Sequence, residues 1–274
     1  MKMTGVLDPV YVLARKTLLN ALDALGSHRD AIVLVGAQAV YIHAGEADLA
    51  VAPYTTDADV AINPELLGDV PLLEDAMHKA GFELTDQPGI WISNDKITID
   101  LLVPESIGGK GRRGARLGVH GHRAARKVYG LEAALVDNER MIVAALDPAD
   151  NRQHEILVAG PGALLISKAH KISDRAGKPD RESDKDALDV LRLLRAIDAD
   201  VLAQSLSLLA KANQSRQVTR EAVSHLGRLF ENTQAPGSQM AARAVGVLED
   251  PVTIAASCET LVQDLLSAYQ KITK

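Results

Sequence analysis

Cys258 is the only cysteine in 274 residues. That excludes an intramolecular disulfide and fits a reducing compartment, so a cytoplasmic location is expected. Aromatic side chains are also scarce, at 3%. A core without them is built from Leu, Val, Ile and Ala, which favours helices and short buried strands over an aromatic-rich β-sandwich. No apolar run approaches the roughly 20 residues needed to span a bilayer, so no membrane partner is expected. The opening segment MKMTGVLDPVYVLARKTLL meets Asp8 before any long apolar stretch and does not read as a signal peptide. Positive charge is not in excess either. A formal net charge of -6 argues against a protein that coats nucleic acid non-specifically.

What is present is an ordinary globular balance, 47% apolar and 24% charged, in a chain long enough for two modest domains or one large one. Helical spacing runs over residues 9–25 and stops at Gly26. The apolar run Ala31–Val35 reads as a strand, with Gly36 directly after it and a helix opening from that glycine. Ala58–Ile62 reads as a second strand, Leu66–Ala80 as a helix stopped by Gly81, and Ile90–Ser93 with Ile97–Val103 as a hairpin through Asn94-Asp95. Gly108–Lys127, rich in Gly and Arg, has the character of a mobile loop. Ala133–Val136, Met141–Ala145 and Glu155–Val158 are further strand candidates. From Pro161 helical periodicity dominates, with breaks at Ala176–Ser183 and around Asn232–Gly237. The expected fold is α/β (α+β): a small mixed-sheet domain over residues 1–160, then an α-helical bundle over 161–274. No repeat of roughly 20–50 residues is visible.

Three Asp-x-Asp pairs occur, Asp57/Asp59, Asp184/Asp186 and Asp198/Asp200. Context singles out the first. Asp57 and Asp59 open the apolar run YTTDADVAI, and on a strand residues i and i+2 face the same side. Two carboxylates held together repel unless a cation lies between them, and Mg2+ (or Mn2+) suits an all-oxygen site completed by substrate phosphates. Asp100 interrupts the apolar strand ITIDLLV, where an acid is costly unless paired or bound to metal. If the two strands are neighbours, Asp57, Asp59 and Asp100 are placed to clamp two ions about 3.5–4 Å apart. Gly36 adds an anion site, since a strand ending in glycine and opening a helix presents free backbone N–H groups.

Strand, Gly36-Ala37, helix, Asp-x-Asp, then a strand carrying a third Asp: this order resembles the polymerase-beta-type nucleotidyltransferase superfamily. The resemblance implies that the glycine turn holds the triphosphate of an NTP donor and that the acids bind the ions. The family turn is usually Gly-Ser or Gly-Gly; with Ala37 a serine hydroxyl contact is missing. Further along, ISKAHKISDRAGKPDRESDKDALDVLRLL sets Lys168, Lys171 and Arg175 on one helical face, followed by Lys185, Asp186 and Asp189. This pattern is similar to the AbiEii-type toxin nucleotidyltransferases, including the MenT toxins, with Val190 where leucine is usual. The likeness covers roughly residues 30–195. It implies that Lys168, with Lys171 and Arg175, contacts nucleotide phosphates and that Asp186 helps complete the active site, the helical domain contributing to it. It also implies transfer of an NMP to RNA, tRNA above all, and a cognate antitoxin as partner.

Between Lys110 and Lys127 the basic residues Lys110, Arg112, Arg113, Arg116, Arg123, Arg126 and Lys127 occur with no acid among them. In a net-negative chain this suggests a polyanion contact, and an RNA acceptor fits. Only Tyr129 lies near for base stacking, so sequence-specific single-strand reading is not expected. His120-x-His122 has no third ligand nearby in sequence and is not read as a metal site. Three other readings stay open: an aminoglycoside- or lincosamide-type antibiotic nucleotidyltransferase, a non-catalytic nucleotide-binding relative, and a HEPN-type ribonuclease using Arg220 and His225.

Overall fold

The computed structural model describes residues 7–45, 49, 51–176 and 184–273. The fold is mixed α/β, with one sheet of parallel and antiparallel strands and several helices. Helix α1 (Pro9–Ala24) begins where the Asp8 carboxylate accepts from the Val10 amide at 2.8 Å, an N-cap that satisfies one orphan donor of the first turn. The chain continues through β1 (Ile32–Val35), α2 (Gly36–Ala44), β2 (Asp57–Ile62), α3 (Leu73–Lys79), β3 (Glu83–Leu84), β4 (Ile90–Ile92), β5 (Thr98–Pro104), β6 (Arg126–Val128), β7 (Asn138–Ala144) and β8 (Gln153–Ala159). The helices α4 (Pro161–Arg175), α5 (Asp184–Ala196), α6 (Ala199–Leu209), α7 (Arg216–Leu229), α8 (Pro236–Val245) and α9 (Pro251–Thr273) complete it.

The chain divides into two units. One comprises residues 1–38, 52–128 and 139–158; the other comprises 39–51, 129–138 and 159–274. A single cut near residue 160 therefore misses two short segments that group with the helices. In the first unit the strands run in the order β3-β4-β5-β2-β1-β8-β7, with β6 against the far half of β5. The strands β1, β2 and β5 are almost wholly apolar on the buried side, with Val33, Leu34, Val60, Ile62, Ile99 and Leu101 excluded from solvent. Helix α1 packs on β2 and β5. In the second unit α4 packs against α5, α6 and α7, while α8 and α9 close the bundle. Among the described residues no helix is long and apolar enough to cross a membrane.

Two sequence expectations are corrected here. The helix expected over 66–80 starts only at Leu73. Pro71 lacks the amide that a helix interior needs, and the preceding stretch is tied down differently: the His28 ring meets the Pro71 carbonyl at 2.8 Å and the His120 ring the Gly68 carbonyl at 2.8 Å. The strand expected at Ala133–Val136 is a 3-10 turn over Glu132–Leu135, whose small side chains Ala133 and Ala134 are buried. The break expected at 176–183 falls where α4 ends, and residues 177–183 lie outside the described residues.

Candidate functional site

The acids of the first unit are placed by strand register. β1 and β2 are antiparallel with Val35 opposite Asp59, and β2 and β5 are parallel with Asp59 opposite Asp100 and Asp57 opposite Thr98. Neighbouring strands lie about 4.8 Å apart, so Asp59 and Asp100 stand side by side on one face. Asp57, two residues earlier on β2, shares that face. All three are half-buried, while the alternate residues Ala58, Val60 and Ile99 are in the core. The conditional expectation that these strands are neighbours is thus met.

Gly36 stands against the same carboxylate. It leaves β1 with φ +70, and a Cβ placed on it would fall 2.0 Å from Asp59 Oδ2. Only glycine tolerates both the backbone conformation and that approach. Ala37, the residue after it, is buried. The side chain at this position therefore points into the core rather than toward an anion.

Support for β2 comes from residues that carried no sequence signal. Gln38 Nε2 donates to the Asp57 carbonyl at 3.1 Å, and its Oε1 accepts from buried Arg15 Nε at 2.8 Å. Thr55 Oγ1 donates to Asp57 Oδ1 at 2.6 Å. The third addition is Arg126 on β6, whose guanidinium donates to Asp100 Oδ2. Sequence reading grouped Arg126 with a polyanion-binding loop. The parallel pairing of β6 with β5, Leu102 opposite Arg126, instead brings it to the acids, where its charge offsets the repulsion between neighbouring carboxylates.

Among the described residues, no three His, Cys, Asp or Glu side chains are gathered into a group that could hold a metal ion by itself. The donor chemistry nevertheless fits Mg2+ or Mn2+. Such ions dehydrate reluctantly and are held by one or two carboxylates plus substrate phosphates rather than by an all-protein cage. The residues that would hold one are Asp59, in contact with the Gly36 turn, with Asp57 and Asp100 beside it.

The second unit contains a different cluster. All three cations of α4 converge on Asp186 of α5: Lys168 Nζ at 2.8 Å, Lys171 Nζ at 3.2 Å and Arg175 at 3.0 Å. Lys168 also reaches Asp189 at 2.6 Å. The side chains of Lys168, Asp186 and Asp189 are 5%, 2% and 1% exposed. Burial alone would neutralise Lys168, but the charges of Asp186 and Asp189 outweigh it and hold its pKa above the ordinary lysine value. Burial likewise works to raise the Asp186 pKa, and Lys168, Lys171 and Arg175 hold it well below the carboxylate range. The Lys168 ammonium is therefore spent between two carboxylates. Lys171, 44% exposed, and Arg175, 27% exposed, keep part of their surface open.

The remaining candidates fall elsewhere. Asp198 is the N-cap of α6, accepting from the Asp200 amide at 2.8 Å. In the basic loop, Lys127 Nζ donates to the carbonyls of Gly109 and Gly111, and Arg123 donates to the Thr85 carbonyl at 2.9 Å. These two tie the loop down. His120 is buried and clamps residues 68–73, while His122 is exposed. Arg220 is exposed on α7. His225 is half-buried, with Ser173 Oγ at 3.4 Å and Arg228 at 3.1 Å from its Nδ1.

Compared with protein-family models, with curated proteins and with solved structures, the chain matches none.

Proposed function

We propose that the chain is a metal-dependent nucleotidyltransferase that moves an NMP from an NTP to a hydroxyl acceptor. The observation that carries this reading is the register of Asp59 with Asp100 on adjacent strands, with Gly36 packed against the Asp59 carboxylate. Nothing in the fold itself requires acids at the same level on two adjacent core strands, where carboxylates crowd one another. Gly36 opens α2 beside those acids, so its turn offers backbone N–H groups and the positive end of the helix to the donor's phosphates.

A bound Mg2+ or Mn2+ supplies charge neutralisation at the phosphates and lowers the pKa of the acceptor hydroxyl. In the transfer a bond forms between the acceptor oxygen and the α-phosphorus, the bond to the departing pyrophosphate breaks, and the acceptor hydroxyl gives up its proton to solvent. The chain's own residues position the reactants. Asp57 is fixed by Thr55, with Gln38 anchoring its backbone carbonyl, and Arg126 pairs with the Asp100 carboxylate and offsets part of its charge. In the second unit, Lys171 and Arg175 are the cations of α4 with surface to offer phosphate. Lys168 ties α4 to α5 through Asp186 and Asp189 and so fixes the helix that carries those cations. The proposed acceptor is RNA, tRNA included, as the resemblance to toxin nucleotidyltransferases implies; the same resemblance makes a cognate antitoxin the expected protein partner.

The test is label transfer. The protein is incubated with Mg2+, each α-labelled NTP in turn, and either total tRNA or kanamycin, and the reaction is repeated with Asp57→Ala and Asp100→Ala. The expected result is labelled RNA, reduced more than about 100-fold in either variant. Labelling that survives both substitutions overturns the site. Labelled kanamycin with unlabelled RNA replaces the acceptor.

A further inference from the structure

The loop between β5 and β6 encloses a cleft of about 550 Å³ whose charged lining is Lys110, Arg112, Arg116 and His122, the rest being four glycines and Pro88. No carboxylate lines it. These four side chains make no hydrogen bond or ion pair with any described residue, whereas Arg123, Arg126 and Lys127 of the same loop are all engaged. The loop's seven Lys and Arg residues thus divide into a structural set that holds it and a set left facing solvent, three of which share one concavity.

The backbone points the same way. No described residue accepts from the amide groups of Gly109 through Arg113, although the loop around them is pinned at both ends. Arg116 N donates to the Gly108 carbonyl at 2.9 Å, Lys127 N to the Arg113 carbonyl at 2.7 Å, and Ala115 N to the Ala125 carbonyl at 2.9 Å. Gly111 has φ +122, with nothing within 4 Å of where a Cβ would stand. A side chain there would be strained by the backbone conformation. Backbone N–H groups at a glycine-rich turn, with guanidinium forks nearby, are groups that phosphate oxygens accept from. Arginine's planar fork matches phosphate oxygens two at a time.

We infer that this cleft is a phosphate-binding site, built for a ligand carrying several phosphate groups and independent of any metal. It rests on no part of the nucleotidyl-transfer reading, because none of its residues belongs to the acid cluster. Two sources present this chemistry, the phosphodiester backbone of a single-stranded nucleic acid and a free oligophosphate chain such as that of a nucleotide.

The experiment measures binding in EDTA, which removes the divalent ion that the acid site requires. Inorganic tripolyphosphate and a 12-residue oligouridylate are titrated separately into the full chain by calorimetry at low and moderate salt. The variants are Arg112→Ala/Arg116→Ala and, as a control on an exposed cation elsewhere, Arg216→Ala; circular dichroism confirms that each is folded. The expected result is binding that weakens about tenfold or more in the double variant, with a shallower salt dependence as phosphate contacts are lost, and no change in Arg216→Ala. Loss confined to the oligonucleotide assigns the site to a phosphodiester backbone. Loss of tripolyphosphate binding alone assigns it to free oligophosphate. If neither ligand binds, or both bind the double variant as tightly as the native chain, the site does not exist. Label transfer is not read in this test, so its failure leaves the acid cluster untouched.

Discussion

Both units place aspartates at short spacing beside basic side chains, yet the two clusters are opposites. In the second unit Asp186 is sealed in the bundle among Lys168, Lys171 and Arg175, and Asp189 shares the Lys168 ammonium, its second oxygen buried without a hydrogen bond among the described residues. In the first unit Asp57, Asp59 and Asp100 remain half-buried on one face of the sheet, with a glycine packed against Asp59 and the Arg126 guanidinium on Asp100. A buried charge that is fully paired holds helices in register and has little left for a ligand. A row of half-buried acids on one face of a sheet is the donor chemistry that a divalent cation takes together with substrate phosphates. The difference lies in the surroundings, because the residue types are the same.

The comparison breaks most severely at Lys168. Lys168→Met removes the ammonium shared by two buried carboxylates, and stranding a buried charge in this way costs about 3–5 kcal/mol. Chemical denaturation followed by circular dichroism checks it; a loss under about 1 kcal/mol would mean that the cluster is far better solvated than its burial indicates. The same cluster sets a pH dependence. The Asp186 pKa is depressed in the fold, so its contribution is complete above the ordinary carboxylate value of about 3.9 and is lost as pH falls through that range. The Lys168 pKa is raised, so its contribution is complete below the ordinary value of about 10.4 and is lost only at higher pH. Thermal unfolding between those limits is expected to be insensitive to this cluster and to weaken in acid, and Lys168→Met shrinks the acid limb.

At the acid face the sharper substitution is Gly36→Ala. It forces a non-glycine residue to φ +70 and drives a methyl group into the Asp59 carboxylate, at a cost of about 1–3 kcal/mol. Label transfer should fall much further than that stability loss accounts for, since Asp59 must move. Retained activity with normal stability would show that the carboxylate's position is immaterial. A smaller effect is expected from Arg126→Gln. Removing the cation on Asp100 leaves a more negative face, so Mn2+ binding should tighten, by at least several-fold, as like-charge repulsion is lost. Weaker Mn2+ binding in this variant would make Arg126 a support for the site rather than a competitor of the ion.

How much of this was legible in the sequence depended on distance along the chain. The strands at 32–35, 57–62 and 98–104, the hairpin through Asn94-Asp95 and the helical second half follow from local patterning, and the structure has them within a residue or two. The lone Asp100 in an apolar strand was visible because burying an acid is costly wherever it occurs. The spacing of Lys168, Lys171 and Arg175 on one helix face was visible too, but not that all three reach the same carboxylate. Arg126 sits among basic sequence neighbours, and its pairing with Asp100, 26 residues away, depends on the parallel β5–β6 contact. Gln38 and Arg15 gave no signal, since a hydrogen bond to a carbonyl on another strand leaves no periodicity. Pro71 did give one, and the periodicity over 66–80 obscured it.

The account stands most directly on whether the acid face takes up a divalent ion. Free Mn2+ is followed by electron paramagnetic resonance as the protein is titrated in, with a non-hydrolysable NTP analogue present, for the native chain and for Asp59→Asn and Asp100→Asn. The prediction is uptake by the native chain that falls at least about tenfold in each variant, both remaining folded by circular dichroism. Equal uptake by all three proteins, or none by the native chain, would contradict it.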